Sequence, residues 1–175
     1  DRERGILMEE LLPRKNELIR PPMANLDILC MVVAAAKPAP VLETVDKLIS
    51  IAIHAGITPV VVVTKSDLGE SVASHYKDIY RSVSIDAFYT SSYDNDGLSE
   101  LREFIRVNLV DGKVAAFAGA SGVGKSTLMN ALFPSLALRT GEISRKIERG
   151  RHTTRHVEIF DIDEGERTGF LADTP

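Results

Sequence analysis

Apolar residues along this chain come in two textures, short unbroken runs and longer stretches where they recur every three or four positions. The run LDILCMVVAAA from Leu26 is nearly continuous and of strand length, the pattern of a strand buried on both faces. After KPAP, the residues Leu42, Val45, Leu48, Ile49, Ala52 and Ile53 recur at helical spacing, and Gly56 stands where a helix ends. ITPVVVVT (57–64) predicts a second buried strand, rich in β-branched residues. A weakly patterned helix is expected over 71–82, a third strand in DAFYTSS, and a helix marked by Leu98, Leu101, Ile105 and Leu109. KVAAFAGA predicts a fourth strand, with a helix from Ser126, and HVEIF and GFLAD predict two more strands. Strands alternating with helices specify an α/β fold, a mostly parallel sheet with helices on both faces.

Composition narrows the class. The chain of 175 residues suits one well-buried domain with a small appendage, and a net charge of -4 argues against a uniformly basic nucleic-acid binder. No apolar run approaches the ~18 residues of a membrane span, so no membrane association is expected. Cys30 has no partner for a disulfide and lies inside an apolar run, which makes it a core residue and fits a cytoplasmic protein.

The most specific chemistry is in GASGVGKST, where Gly119, Ala120, Ser121, Gly122, Val123, Gly124, Lys125, Ser126 and Thr127 read as a phosphate-binding loop opening a helix. Glycines there let backbone N–H groups approach phosphate oxygens, and the helix start adds a partial positive charge. Lys125 is expected to reach the β- and γ-phosphates, and the Ser126 hydroxyl to hold Mg²⁺. Asp173, after the last apolar strand, supplies a second oxygen for magnesium.

Two loops after consecutive strands select the base. In ValThrLysSerAspLeu (63–68), the Asp67 carboxylate can accept hydrogen bonds from guanine N1–H and its exocyclic amine. Adenine offers an acceptor and a C–H there, so its binding leaves the carboxylate unpaired. The stem of Lys65 can lie across the base face. The small-residue loop TyrThrSerSer (89–92), with Ser91 and Ser92, can offer a backbone N–H to guanine O6. Either loop alone is a common strand-ending turn; the sequence order of the two with the phosphate loop is what carries weight.

In the common GTPase order the phosphate loop comes first, whereas here the guanine-reading motifs precede it, so the chain resembles a circularly permuted GTPase. ProArgLysAsnGluLeuIleArgPro (13–21), AlaAsnLeuAsp (24–27) and GlyArgHisThrThrArgHis (150–156) are similar to the small ribosomal subunit biogenesis GTPase family. That resemblance implies a P-loop GTPase domain over 23–175, preceded in 1–22 by the tail of an N-terminal OB barrel plus a linker. It implies GTP/GDP and Mg²⁺ as ligands, with the family's Zn²⁺ domain not represented in this chain. It implies that Thr154 is the switch threonine on magnesium, with Thr153 the alternative, and that His152 helps position the attacking water. The family has Asn where Thr64 stands here; Asn bonds the base and braces the phosphate loop, and a hydroxyl can do part of this.

The segment Arg139 to His156 is strongly basic, and Arg14, Lys15 and Arg20 extend the positive charge; on charge alone it reads as a solvated surface loop, and it is the family resemblance that implies contact with ribosomal RNA phosphates. The implied partner is the small ribosomal subunit and its rRNA, with the protein a monomer. Two alternatives stay open: a permuted GTPase of large-subunit assembly, and a GTP-gated binding module with negligible catalysis.

Overall fold

The computed structural model describes residues 10–134, 158–163 and 168–173. Its frame is a six-stranded sheet built from β3 (Ile28–Ala34), β4 (Thr58–Thr64), β5 (Asp86–Tyr89), β6 (Val114–Ala118), β7 (Glu158–Asp163) and β8 (Thr168–Asp173). A small antiparallel pair, β1 (Glu17–Leu18) with β2 (Met23–Ala24), precedes it. The helices are α1 (Leu42–His54), α2 (Glu70–Ser82), α3 (Leu98–Asn108) and α4 (Lys125–Leu132). Every strand and helix expected from the apolar pattern is present, within one to three residues at its ends.

The strand order is β5-β4-β3-β6-β8-β7, with all neighbours parallel except β7 and β8. Those two are separated by only residues 164–167, too few for the crossover that a parallel pair requires. Alternate residues of β3 point to opposite faces. Ile28, Cys30, Val32 and Ala34 join one apolar cluster with Leu101, Ile105, Leu128 and Met129 of α3 and α4. Leu29, Met31 and Val33 join the other, with Val45, Ile49 and Ala52 of α1 and Ala73 and Tyr80 of α2. Burial on both faces is why β3 reads as an unbroken apolar run rather than an alternating one. Cys30 is fully buried, and burial pushes its thiol up to about 12.

Two local features differ from the sequence expectation. Ile53 is 56% exposed, because the buried stripe of α1 is set by Val45, Ile49 and Ala52 and the next residue rotates away from it. Residues 14–27 carry ordered structure that no periodicity announces. The Asn16 amide donates to Leu26 O at 2.7 Å and accepts from Leu26 N at 2.9 Å. The Asp27 carboxylate takes the Lys15 ammonium at 2.5 Å and the Val114 N–H at 3.0 Å. These bonds fasten the β1–β2 turn to the amino ends of β3 and β6, and Leu18 is buried beneath it.

Candidate functional site at the carboxyl edge of the sheet

Because β3, β4, β5 and β6 run parallel, the loops that follow them gather at one edge. The chain winds outward from β3 through β4 to β5, then returns to place β6 on the other side of β3. The order therefore reverses between β3 and β6, and a crevice at such a point is where open α/β sheets take their ligands.

The phosphate loop occupies this crevice. Gly119 packs so closely that a Cβ there would lie 2.3 Å from Val32 O, so only glycine lets β6 turn beside β3. Gly122 and Gly124 have φ of +80° and +101°, and at Gly122 a Cβ would meet nothing nearer than Pro38 Cδ at 3.9 Å. Around Gly122 the loop surface is thus open and formed by backbone. Helix α4 starts at Lys125 with Gly124 as its left-handed cap. The Lys125 ammonium lies 2.7 Å from Gly119 O and 3.4 Å from Ala120 O, curled over its own loop. Ser126 is half-buried in the first turn of α4, Ala120, Ser121 and Thr127 are exposed, and Val123 is buried under the loop.

The residues expected to select the base stand beside it. Thr64, at the end of β4, is 4% exposed, and its hydroxyl lies 3.0 Å from Val33 O and 2.5 Å from Val123 O. Lys65 has a left-handed backbone, φ +58°, and its ammonium donates to Lys37 O at 2.6 Å and Gly122 O at 2.8 Å. The Lys65 stem therefore spans from β4 across the β3–α1 loop to the phosphate loop. Asp67 sits in a 3-10 turn, Ser66–Leu68, with its side chain exposed.

After β5, Ser91 is buried, and its N–H donates to Asp96 O at 3.0 Å while the Thr90 N–H donates to Val63 O at 2.7 Å. The Ser91 hydroxyl oxygen accepts from the N–H groups of Tyr93 and Asp94 at 3.2 and 3.4 Å. The Ser91 hydroxyl, followed by the Asp96 N–H, holds the Asp94 carboxyl below the usual carboxylate range. In the expected base-facing loop, this leaves the Ser92 N–H without an internal acceptor among the described residues. The hydroxyls of Ser66 and Thr90 are buried at this corner with no hydrogen-bond partner among the described residues.

Two contributors were missed by the sequence reading. The β3–α1 loop is tied to the phosphate loop by the Lys65 ammonium, which bonds both Lys37 O and Gly122 O, and Pro38 stands beside Gly122; nothing in KPAP announces it. Gly97 caps α3 with φ +68°, and a Cβ there would come within 1.9 Å of Tyr89 O. A glycine opening a helix after YDND was the available signal, but the close approach itself leaves no mark in sequence. His152, Thr153, Thr154 and the whole of the basic segment 139–156 fall outside the described residues. Asp173 ends β8 beside Phe117 of β6, but its side chain is likewise outside. Of the accessory cations, Arg14 is paired with Glu17 at 2.6 Å and Lys15 with Asp27, at the opposite edge of the sheet from the phosphate loop.

This arrangement has well-defined relatives. The family model described as RsgA GTPase matches residues 11–175. The chain is 43% identical over 169 residues to the small ribosomal subunit biogenesis GTPase RsgA of Carboxydothermus hydrogenoformans, covering 97% of this chain and 56% of that protein. It is 40% identical over 176 residues to the protein of the same name from Bacillus subtilis, covering 98% of this chain and 56% of that protein. The chain thus spans about half the length of the curated relatives it matches. Among solved structures it is similar to YjeQ from Thermotoga maritima, with a TM-score of 0.70 and 31% identity over 95% of this chain and 54% of that one. It is also similar to YloQ, a circularly permuted GTPase, with a TM-score of 0.63 and 33% identity over 95% of this chain and 50% of that one. The family-model match over residues 11–175, together with these relatives, shows that the chain belongs to the RsgA GTPase family.

Proposed function

We propose that this chain is the nucleotide-binding and GTP-hydrolysing part of a factor acting in late maturation of the small ribosomal subunit. The observation that supports this reading is the joining of the loop after β4 to the glycine loop after β6 at one sheet edge. Thr64, the last residue of β4, and Lys65, the next residue, hold carbonyls of the phosphate loop, Val123 O and Gly122 O.

In this reading Asp67 and the Ser92 N–H read the guanine edge, with Ser91 shaping the loop. The backbone of Gly119–Thr127 cradles the phosphates, and Lys125 leaves its loop carbonyls for the β- and γ-oxygens. The residues that would hold Mg²⁺ are Ser126, Thr154 and Asp173, and the ion supplies charge neutralisation on the phosphates. The open, backbone-lined cradle at Gly122 fits a phosphate group with its ion. His152 positions water, and catalysis is orientation and charge stabilisation without a covalent intermediate. The basic segment 139–156 meets rRNA phosphates. The working protein is a cytoplasmic monomer; among the described residues, no helix is long and apolar enough to cross a membrane.

The test is GTP turnover by the chain, alone and with purified small or large ribosomal subunits, with ATP as control. Stimulation by the small subunit alone supports the proposal. Stimulation by the large subunit reassigns the particle, and absence of turnover under every condition reduces the chain to a nucleotide-gated binding module.

A further inference from the structure

The chain has four tyrosines, and three of them are held. The Tyr76 ring lies 6.1 Å from the His75 ring, the Tyr80 hydroxyl donates to Asp46 at 3.1 Å, and the Lys77 ammonium sits 4.5 Å over the Tyr89 ring. Tyr93 is different. It is 89% exposed and has no ring, cation or hydroxyl partner among the described residues. Surface chemistry alone gives no reason for a rigidly presented aromatic ring there.

Its loop is nevertheless closed upon itself. Ser91 N–H reaches Asp96 O, Ser91 Oγ accepts the N–H groups of Tyr93 and Asp94, and Asp94 Oδ1 accepts the Asp96 N–H at 3.2 Å. Gly97 locks the far end against Tyr89 O. Residues 91–97 therefore present Tyr93 on a bonded scaffold, one residue beyond the Ser92 N–H. On the other side of the β4 end, the Lys65 stem is stretched towards the phosphate loop by its two carbonyl bonds. In the strand order the Tyr93 loop follows β5 on one side of β4, whereas Lys65 reaches to the other side, towards β3 and β6.

We propose that Tyr93 is a stacking residue for the purine, covering the face of the base opposite the Lys65 stem. The inference rests on the guanine-nucleotide reading of the same site. An aromatic face stacks on a planar base with little regard for its edge, so Tyr93 adds affinity while Asp67 adds selectivity. The apolar ring, costly to leave in water, is covered when the nucleotide is bound.

The test is calorimetric titration of the 175-residue chain with GDP, comparing the parent with Tyr93→Ala and Tyr93→Phe. Replacing the ring by a methyl group is expected to weaken GDP about tenfold, whereas Phe stays within about twofold, as expected of stacking without a hydroxyl bond. The chain has no tryptophan, so Tyr93→Trp makes a single-tryptophan reporter. Its emission is expected to be quenched by GDP and unchanged by inorganic pyrophosphate, a signature that a merely structural residue does not produce. A Tyr93→Ala variant that binds GDP as tightly as the parent overturns the stack and leaves the nucleotide reading standing. A parent chain that does not bind GDP overturns both.

Discussion

The hydroxyl of Thr64 lies 2.5 Å from the carbonyl oxygen of Val123, joining two residues 59 positions apart in the chain. The hydroxyl braces the phosphate loop and the end of β3 through Val33 O. Thr64→Val keeps the shape and removes the single hydroxyl proton shared between the two carbonyls. Expected losses are about 2 kcal/mol of stability and a roughly five- to tenfold weakening of GDP, with Thr64→Ser near the parent in both. Thermal melts and nucleotide titration check this, and unchanged GDP affinity in Thr64→Val refutes the brace.

Asp67 is exposed in the 3-10 turn, free to meet a ligand edge from solvent. Asp67→Asn replaces two acceptors by one acceptor and one donor. That pattern no longer matches the guanine N1–H and amine but does match xanthine, which carries a carbonyl in place of the amine. GTP binding is expected to fall by about 100-fold or more while xanthosine triphosphate gains. Competition titrations with the two nucleotides read the exchange directly, and equal losses for both exclude this role.

How much of this was legible beforehand follows from the range of each interaction. The two-face burial of β3 and β4 was readable because buried parallel strands must be apolar at every position. The phosphate loop was readable because its glycine spacing is the geometry itself: Gly119 has no room for a Cβ, and Gly122 and Gly124 take positive φ. The bracing by Lys65 was hidden, because its acceptors are main-chain carbonyls of Lys37 and Gly122 and any sequence supplies carbonyls. The β1–β2 turn was hidden for a related reason. Its stability comes from the Asn16 amide and the Asp27 carboxylate, single side chains that leave no periodic trace.

Gly97 and Gly112 form an internal comparison. Both have positive φ, +68° and +77°, but a Cβ at Gly112 meets nothing within 4 Å whereas at Gly97 it meets Tyr89 O at 1.9 Å. Gly112→Ala is expected to cost only the backbone preference, about 1 kcal/mol. Gly97→Ala adds a clash with main chain that cannot rotate away, for roughly 3 kcal/mol or more, and displaces the Ser91–Gly97 loop. Denaturant unfolding of the two variants gives the difference, and equal costs contradict the close approach.

The buried hydroxyls of Ser66 and Thr90 have no partners among the described residues. Removing an unsatisfied buried group returns part of its desolvation cost. Ser66→Ala and Thr90→Val are therefore expected to leave stability unchanged or raise it by about 1 kcal/mol, as measured by urea unfolding. Losses above about 1 kcal/mol in both show that these hydroxyls are bonded in solution.

Cys30 links the core to pH. Its thiol moves from an ordinary value of 9.0 to about 12 because burial disfavours the thiolate. A group whose folded pKa is raised contributes stability fully below its unfolded value and loses it as pH rises through the folded value. The contribution is therefore complete below pH ~9 and is eroded between ~9 and ~12, at about 1.4 kcal/mol per pH unit. Cys30→Ala, although less stable at pH 7 through the cavity it leaves, is expected to show a shallower decline over that alkaline window than the parent. The same burial predicts that the folded chain resists thiol alkylation at pH 8 and reacts fully once unfolded. Rapid alkylation of the native chain contradicts the assignment of Cys30 to the core. Parallel alkaline stability curves for the two proteins contradict the thiol's share in the pH dependence.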